Sequence, residues 1–480
     1  MKHLSTENYK AKAKAAAQNL VLQRALAGLQ ERLGKGSALA YQNLPEGPEL
    51  RHIAHDIRLH AIHNLDRLIG ELAEKIHRRG GHVFFAETAE SAITYCLSVA
   101  RKHGVKLVVK GKSMVTEEIR LNAALQDEGI AVFETDLGEF IIQLAKEKPS
   151  HILAPAIHKT REDIGRLFSD KLHIPFTDDP PRLTAAARAS LRKKFFTADM
   201  GISGCNLACA ESGHVTVVSN EGNIRMASTL PKIHMVFMGM ERMVESLDDH
   251  NILLRMLCRG ASAQKLATYV SNINGPARDD HSDGPHEFHL VILDNGRTRI
   301  LADKAFREIL CCVRCGACSN VCPVYRKIGG HAYGYAYSGP VGAVVTPLLV
   351  GINRAKHLCQ GETLCGACRE ICPVDIDLPR MLLELRWRLA AGDDQWQVRR
   401  ENHLERLAYQ MWSLVIGNRK LYDLSQETVR LMQKFLPKKN NMISWMPPPF
   451  SGWTDSRLMK PLAAKKFSEE WKQYQSKNNP

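Results

Sequence analysis

The segment CCVRCGACSNVCP places Cys312, Cys315, Cys318 and Cys322 at the spacing C-x2-C-x2-C-x3-C, with Pro323 directly after the last. Three thiolates two residues apart fold around three corners of an iron-sulfur cubane. The fourth, one residue further on and followed by proline, turns away and ligates a second cubane. A later run, LCGACREICP, supplies Cys365, Cys368, Cys372 and Pro373. By this crossover Cys312, Cys315, Cys318 and Cys372 hold cluster 1, while Cys322, Cys365 and Cys368 hold cluster 2, so two [4Fe-4S] clusters are the expected cofactors. Cluster 2 is then one ligand short. Three residues before Cys365 stands Glu362, and the nearest spare thiol upstream is Cys359. Cys359 is the expected fourth ligand if the QGETL segment loops out; ligation by Glu362 or a three-cysteine site are the alternatives.

Structural zinc would use the same thiolates. The three-step C-x2-C-x2-C run, however, wastes a ligand in a tetrahedral site, and the two runs lie further apart than the pairs of a zinc ribbon. Cys96, Cys205, Cys209, Cys258 and Cys311 have no ligand spacing and read as packed thiols. Cysteines shared between the runs force the cubanes close together, which suits an electron conduit. Arg314, Arg326, Lys327, Arg369 and Arg380 lie near the runs, where they either offset the negative charge of the clusters or form a solvated surface.

Nine of the thirteen cysteines fall between 311 and 372, most at metal-ligand spacings, so the thiols must stay reduced and a cytoplasmic location is expected. The N-terminus, MKHLSTENYKAKAKAAAQN, is basic but has no apolar core or cleavage site, and Glu7 and Glu31 argue against a transit peptide. The most apolar stretch, VGAVVTPLLVGI (341–352), is too short to span a bilayer and contains Pro347. The net charge of +14 favours anionic partners, yet the basic residues are spread along the chain without a nucleic-acid motif, so no nucleic acid partner is expected. Basic residues thicken at Lys434, Lys438, Lys439, Lys460, Lys465 and Lys466. They form either a solvated face or a surface for an acidic partner subunit or peripheral association with an anionic membrane.

At 480 residues the chain is too long for one core. Four regions are expected: N-terminal helices (1–79), an α/β domain (80–300), a cysteine-rich α-helical domain (301–385) and a helical C-terminal extension (386–480). The first region reads as a helix over 9–33, stopped at Gly34 and Gly36, and a second over 48–79 with a stripe of Leu50, Ile53, Ile57, Leu65, Leu68, Leu72 and Ile76. His52, His55, His60 and His63 read as its polar face rather than a metal site. In the α/β region, β-branched runs at 82–86, 106–110, 131–135, 151–155, 214–220, 234–239 and 288–295 alternate with helical segments, which predicts a largely parallel sheet. Thr160 and Asp163 predict a helix-opening capping box. Residues 275–287 read as an exposed loop, 380–436 as helix, and 442–453 as non-helical because of three successive prolines.

Lys110, Lys112, Ser113 and Thr116 fall at a strand-to-helix turn. Lys106 stands where a Walker motif needs glycine, so the turn is either a carboxylate- or phosphate-binding site or a plain helix cap. Glu211 and Glu221, in ESGH and NEGN, bracket one predicted strand as candidate acid-base groups or simply as turn residues.

Taken together, GGHVFFAET (80–88), KGKSMVTEEI (110–119), ETDLGEFIIQLA (134–145), PAIHK (155–159), GISGCNLACAESG (201–213), NEGNIRM (220–226), FHLVILDNGR (288–297) and the two cysteine runs resemble the lactate utilisation iron-sulfur protein family, the B-type subunit of a three-protein lactate oxidation system. The resemblance covers nearly the whole chain. It implies an α/β domain of the sugar-isomerase and CoA-transferase type (the LUD domain), a two-cluster ferredoxin domain and a helical extension. It also implies electron carriage during oxidation of L-lactate to pyruvate, with companion subunits and an electron donor or acceptor as partners. Two other roles stay open for the α/β domain: a carboxylate- or CoA-handling enzyme using Glu211 or Glu221, or a docking module without a ligand.

Overall fold

A computed structural model of the chain describes residues 8–278, 280, 283–399, 403–448, 450–455 and 457–478. The chain forms two compact units, one ending at Arg400 and one beginning at Glu401.

Among the described residues the first unit has ten strands: β1 (His82–Ala86), β2 (Leu107–Lys110), β3 (Ala131–Glu134), β4 (Met200–Gly204), β5 (Leu207–Cys209), β6 (His214–Ser219), β7 (Ile233–Gly239), β8 (Met243–Val244), β9 (Tyr269–Ile273) and β10 (Glu287–Leu293). Six of them form one sheet in the order β1-β10-β7-β4-β2-β3, with every neighbouring pair parallel. Parallel strands need helical crossovers that cover both faces, which is why their segments are largely apolar. β7, IHMVFMG, is buried along its whole length. β4 was not among the predicted strands, because MGISG carries two glycines and little β propensity. Gly201 is required there: a Cβ would stand 1.7 Å from the carbonyl oxygen of Ala227, whose helix, Asn223–Thr229, lies directly on the strand.

Two sequence expectations are corrected in this domain. The run 214–220 does contain a strand, but β6 lies in a separate, mainly antiparallel sheet, β8-β5-β6-β9, that buries Leu207, Val215 and Met243. The run 151–155 is not a strand. His151 folds back so that its Nδ1 accepts the backbone N–H groups of Leu153 and Ala154 at 3.0 and 3.1 Å, which diverts them from any ladder. The segment lies instead on the cysteine-rich region. Tyr325 donates its hydroxyl to the Ser150 carbonyl (2.7 Å), and His151 Nε2 bonds Asn320 Oδ1 (3.0 Å).

The N-terminal region also differs from expectation. Gly34 and Gly36 do not stop the first helix; helical structure runs from Tyr9 to Gln42, broken at Asn19, which caps the next turn by accepting the Leu22 N–H at 3.0 Å. Gly34 serves close packing, since its Cβ position lies 3.1 Å from the Asn320 carbonyl oxygen. The second helix is two, Gly47–His63 and Leu65–Arg78, joined at Asn64. From the first of these the buried Arg58 donates to the carbonyls of Met243 (2.5 Å), Glu241, Leu310 (3.1 Å) and Cys311 (3.1 Å), tying the α/β domain to the chain that enters the cysteine runs. Three of the four histidines have partners outside their own helix: His52 meets Asp375, His55 the Val374 carbonyl and His60 Glu245.

VGAVVTPLLV forms a buried helix, Gly339–Val350, in the cysteine-rich domain. Among the described residues no helix is long and apolar enough to cross a membrane.

The second unit carries helices His403–Gly417, Arg419–Met432 and Phe467–Asn478 and a two-stranded pairing of Lys438–Lys439 with Met442–Ile443. Of its basic residues, Lys466 is paired with Glu427 at 2.6 Å.

Candidate iron-sulfur centre

The two cysteine runs fold alike. Arg314 and Leu364, each just before a Cys-Gly-Ala-Cys segment, both have φ of 58°, and Gly316 and Gly366 have φ of 81° and 87°. Each glycine then opens a short helix, Ala317–Val321 or Ala367–Glu370. This left-handed turn leads each run into the helix that carries its next buried thiol, Cys318 or Cys368, and only glycine adopts it without a Cβ penalty. Gly366 has nothing within 4 Å of its Cβ position, so Gly366→Ala tests the backbone alone. The expected outcome is a loss of about 1–2 kcal/mol and fewer irons per chain, checked by thermal denaturation and iron analysis.

The thiols sort into two neighbouring groups. Burial raises Cys315 well above the ordinary thiol range, and Cys372, Cys312 and Cys318 raise it further. Burial pushes Cys372 up to about 12, with Cys312 and Cys318 adding to it. Around the other group, burial and then Glu362 and Cys365 push Cys368 up to about 12, and burial followed by Glu362 raises Cys322. Cys318, pushed to about 12 by burial, feels both Cys312 of its own group and Cys368 of the other, so the groups adjoin. Burial disfavours the thiolate form at these five positions, and iron would supply the cation that offsets it.

The donor set fits cubanes better than single zinc ions. A zinc tetrathiolate brings its sulfurs to about 3.8 Å of one another, given Zn–S near 2.3 Å. Among the described residues, the only trio of His, Cys, Asp or Glu whose ligating atoms lie within 4.8 Å of one another is His82, Glu287 and His289, far from the cysteines in the sheet. Backbone N–H groups already face the sulfurs, Arg314 to Cys312 and Tyr325 to Cys322, both at 3.4 Å.

Glu362 lines one pocket with Cys322, Cys365 and Cys368. Cys359, the expected fourth thiol, is not among the pocket's lining residues; its Sγ lies 3.2 Å from the Lys356 carbonyl oxygen. The reason is Arg386, which donates to the carbonyls of Cys359, Gln360 and Glu362 and draws this turn closed, so QGETL does not loop out.

Of the cations named beside the runs, Arg314 alone is buried, stacked 4.5 Å over the Tyr337 ring with Nη2 3.8 Å from Glu241. Arg369 pairs with Asp377 and Arg380 with Glu308, while Arg326 and Lys327 are exposed. Behind Arg314 lies a network that no local spacing signals: Arg297 binds both Glu118 oxygens (3.0 and 2.8 Å) and Glu241 (2.7 Å), and Tyr337 donates to Glu118 at 2.5 Å.

The turn after β2 is a helix cap. Ser113 accepts the Thr116 N–H at 3.4 Å; Thr116 donates its hydroxyl to the Ser113 carbonyl at 2.8 Å. Both lysines are taken, Lys110 by Glu134 (2.9 Å) and Lys112 by Glu139 (3.1 Å). Glu221 lies near them. Its carboxylate accepts the Leu137 N–H at 3.0 Å, and burial followed by the neighbouring Asp136 raises it to about 7. Glu211 sits elsewhere, accepting the Leu247 N–H at 2.7 Å where another helix begins. Lys112 and the two unpredicted glutamates Glu117 and Glu118 line a cavity of about 1670 Å³ that also meets His151, His331 and Tyr335. Burial and the adjacent Glu139 raise Glu117 to about 8.

Comparison with known proteins agrees with this architecture. The LUD domain family matches residues 69–293 and the 4Fe-4S dicluster domain family matches 308–376. The chain is 44% identical over 456 residues to lactate utilization protein B of Bacillus subtilis (strain 168), covering 95% of this chain and 94% of that protein. To lactate utilization protein B of Anoxybacillus flavithermus it is 43% identical over 470 residues, covering 98% of each.

Proposed function

The chain belongs to the lactate utilization protein B family, and from that premise we propose that it is the electron-carrying subunit in the oxidation of L-lactate to pyruvate. The supporting observation is the sorting of seven thiols into two adjoining groups, Cys312, Cys315, Cys318 and Cys372 beside Cys322, Cys365 and Cys368. Two [4Fe-4S] clusters, when bound, supply one-electron storage at two neighbouring points. Arg314 sets a buried positive charge beside the first group and eases its reduction. Cys365 is the one exposed thiol of the seven, so electrons are exchanged with a companion subunit on the side of the second group. A reducing compartment, the cytoplasm, keeps the thiols available.

Glu211 and Glu221 each have an oxygen held by a backbone N–H, an arrangement that favours this reading over a carboxyl nucleophile in the α/β domain. The test is anaerobic purification with iron and sulfide analysis, then electron paramagnetic resonance after adding L-lactate. Reduced clusters are expected only when the companion subunits of the lactate system are present. Zinc in place of iron and sulfide, or clusters that lactate and those subunits leave oxidised, would remove the proposal.

A further inference from the structure

We propose that Glu362 is the fourth protein ligand of the second cluster, so that this cluster is held by three thiolates and one carboxylate. The inference rests on the reading above that a second cluster is present. It begins from the repeat between the two runs. Arg314 and Leu364 share one backbone conformation, Gly316 and Gly366 another, and Cys315, Cys318 and Cys322 correspond to Cys365, Cys368 and Cys372. In that alignment Glu362 occupies the place of Cys312, the first ligand of its own run.

Its surroundings agree. Glu362 is 8% exposed, and one carboxylate oxygen faces the Cys322 thiol, whose Sγ lies 3.4 Å from Oε2. The other oxygen accepts the Tyr333 hydroxyl at 2.9 Å, from a ring that is itself fully buried. Among the described residues no lysine, arginine or histidine forms an ion pair with this carboxylate; Arg386 reaches only the backbone carbonyl. A buried carboxylate without an ion-pair partner is costly. Iron removes that cost. On loading, the protons of the Cys322 thiol and of the carboxyl group leave to solvent, and Oε2 and Sγ both turn to metal. A carboxylate carries the same single negative charge as the thiolate it replaces, so the charge of the cluster is unchanged. What changes is softness: an oxygen donor binds its iron less firmly than sulfur, which makes that corner the exchangeable one. Tyr333 is a positioning residue, fixing the carboxylate through the oxygen that does not ligate.

The experiment uses the full chain, purified without oxygen, as wild type, Glu362→Cys, Glu362→Ala and Cys359→Ala, followed by Mössbauer and electron paramagnetic resonance before and after mild oxidation. Wild type and Cys359→Ala are expected to lose one iron on oxidation, giving a three-iron signal that ferrous iron reverses. Glu362→Cys keeps all four irons through the same treatment, and Glu362→Ala already carries a three-iron second cluster. Growth with carboxyl-carbon-13 glutamate gives a direct readout: hyperfine coupling to carbon-13 in the reduced wild type, absent in Glu362→Cys. The proposal is overturned if Cys359→Ala already lacks the fourth iron before oxidation while Glu362→Ala carries it, or if the labelled wild type shows no coupling. Absence of inorganic sulfide from the wild type would instead remove the underlying reading, and is recognised before any variant is compared.

Discussion

Cys318→Ala should leave the chain with about half of its iron and sulfide, because one cubane loses a ligand while the other keeps its own. Lactate-dependent reduction should be abolished with it. Cys318 feels the charge of Cys312 in its own group and of Cys368 in the other, so its loss removes a thiol that adjoins both. The void is small, but the remaining thiols of that group, Cys312, Cys315 and Cys372, would be left without the iron that neutralises them, and thermal stability should fall as well. Cys96→Ala is the control. That thiol is equally buried, and pushed up to about 12 by burial alone, but it packs in the separate core beside β1 and β2. Iron and sulfide analysis of the two variants, with their thermal midpoints, checks the expectation; equal iron loss in both would contradict it.

The second large effect is expected at Arg297→Met. Arg297 is 1% exposed and neutralises two buried carboxylates, Glu118 and Glu241, neither of which can reach water. Removing one member of such a network leaves uncompensated charge and costs about 3–5 kcal/mol. The network also explains the pH response. Burial alone would raise Glu241, but Arg297, Arg242 and Arg314 outweigh it and hold the carboxyl at about 2, below its ordinary 4.5. A carboxylate depressed in the folded state contributes stability above its unfolded pKa and loses it as pH falls through the folded one. For Glu241 that is about 3 kcal/mol, lost between about 4.5 and about 2. In the Arg297→Met chain the sign reverses. Both carboxyls then titrate upward, their protonation relieves the buried charge, and the gap to wild type narrows as pH is lowered. Thermal denaturation of the two proteins from pH 7.5 to about 5 reads that gap; a constant difference would mean that the guanidinium contributes packing rather than charge.

The likeness of the two cysteine runs was legible because it is local chemistry: the same Cys-Gly-Ala-Cys segment takes the same left-handed turn in both. The order of strands rich in branched residues was legible for a similar reason, since β1, β2, β3, β7 and β10 announce themselves by apolar runs. Where the sequence misled, a distant partner had overruled a local preference. HILAP looks like a strand, but His151 and Ser150 bond Asn320 and Tyr325 instead. MGISG carries too little β propensity to be predicted as a strand, but a helix pressing on Gly201 makes its glycine a requirement of a central strand. The sequence by itself determined that this chain gathers thiols for iron and sulfur and carries an α/β domain ahead of them. Only the tertiary structure decided that Glu362 rather than Cys359 faces the second group, and that Arg297 binds two glutamates beneath the first, because a side chain's partners across hundreds of residues depend on packing that no local spacing records.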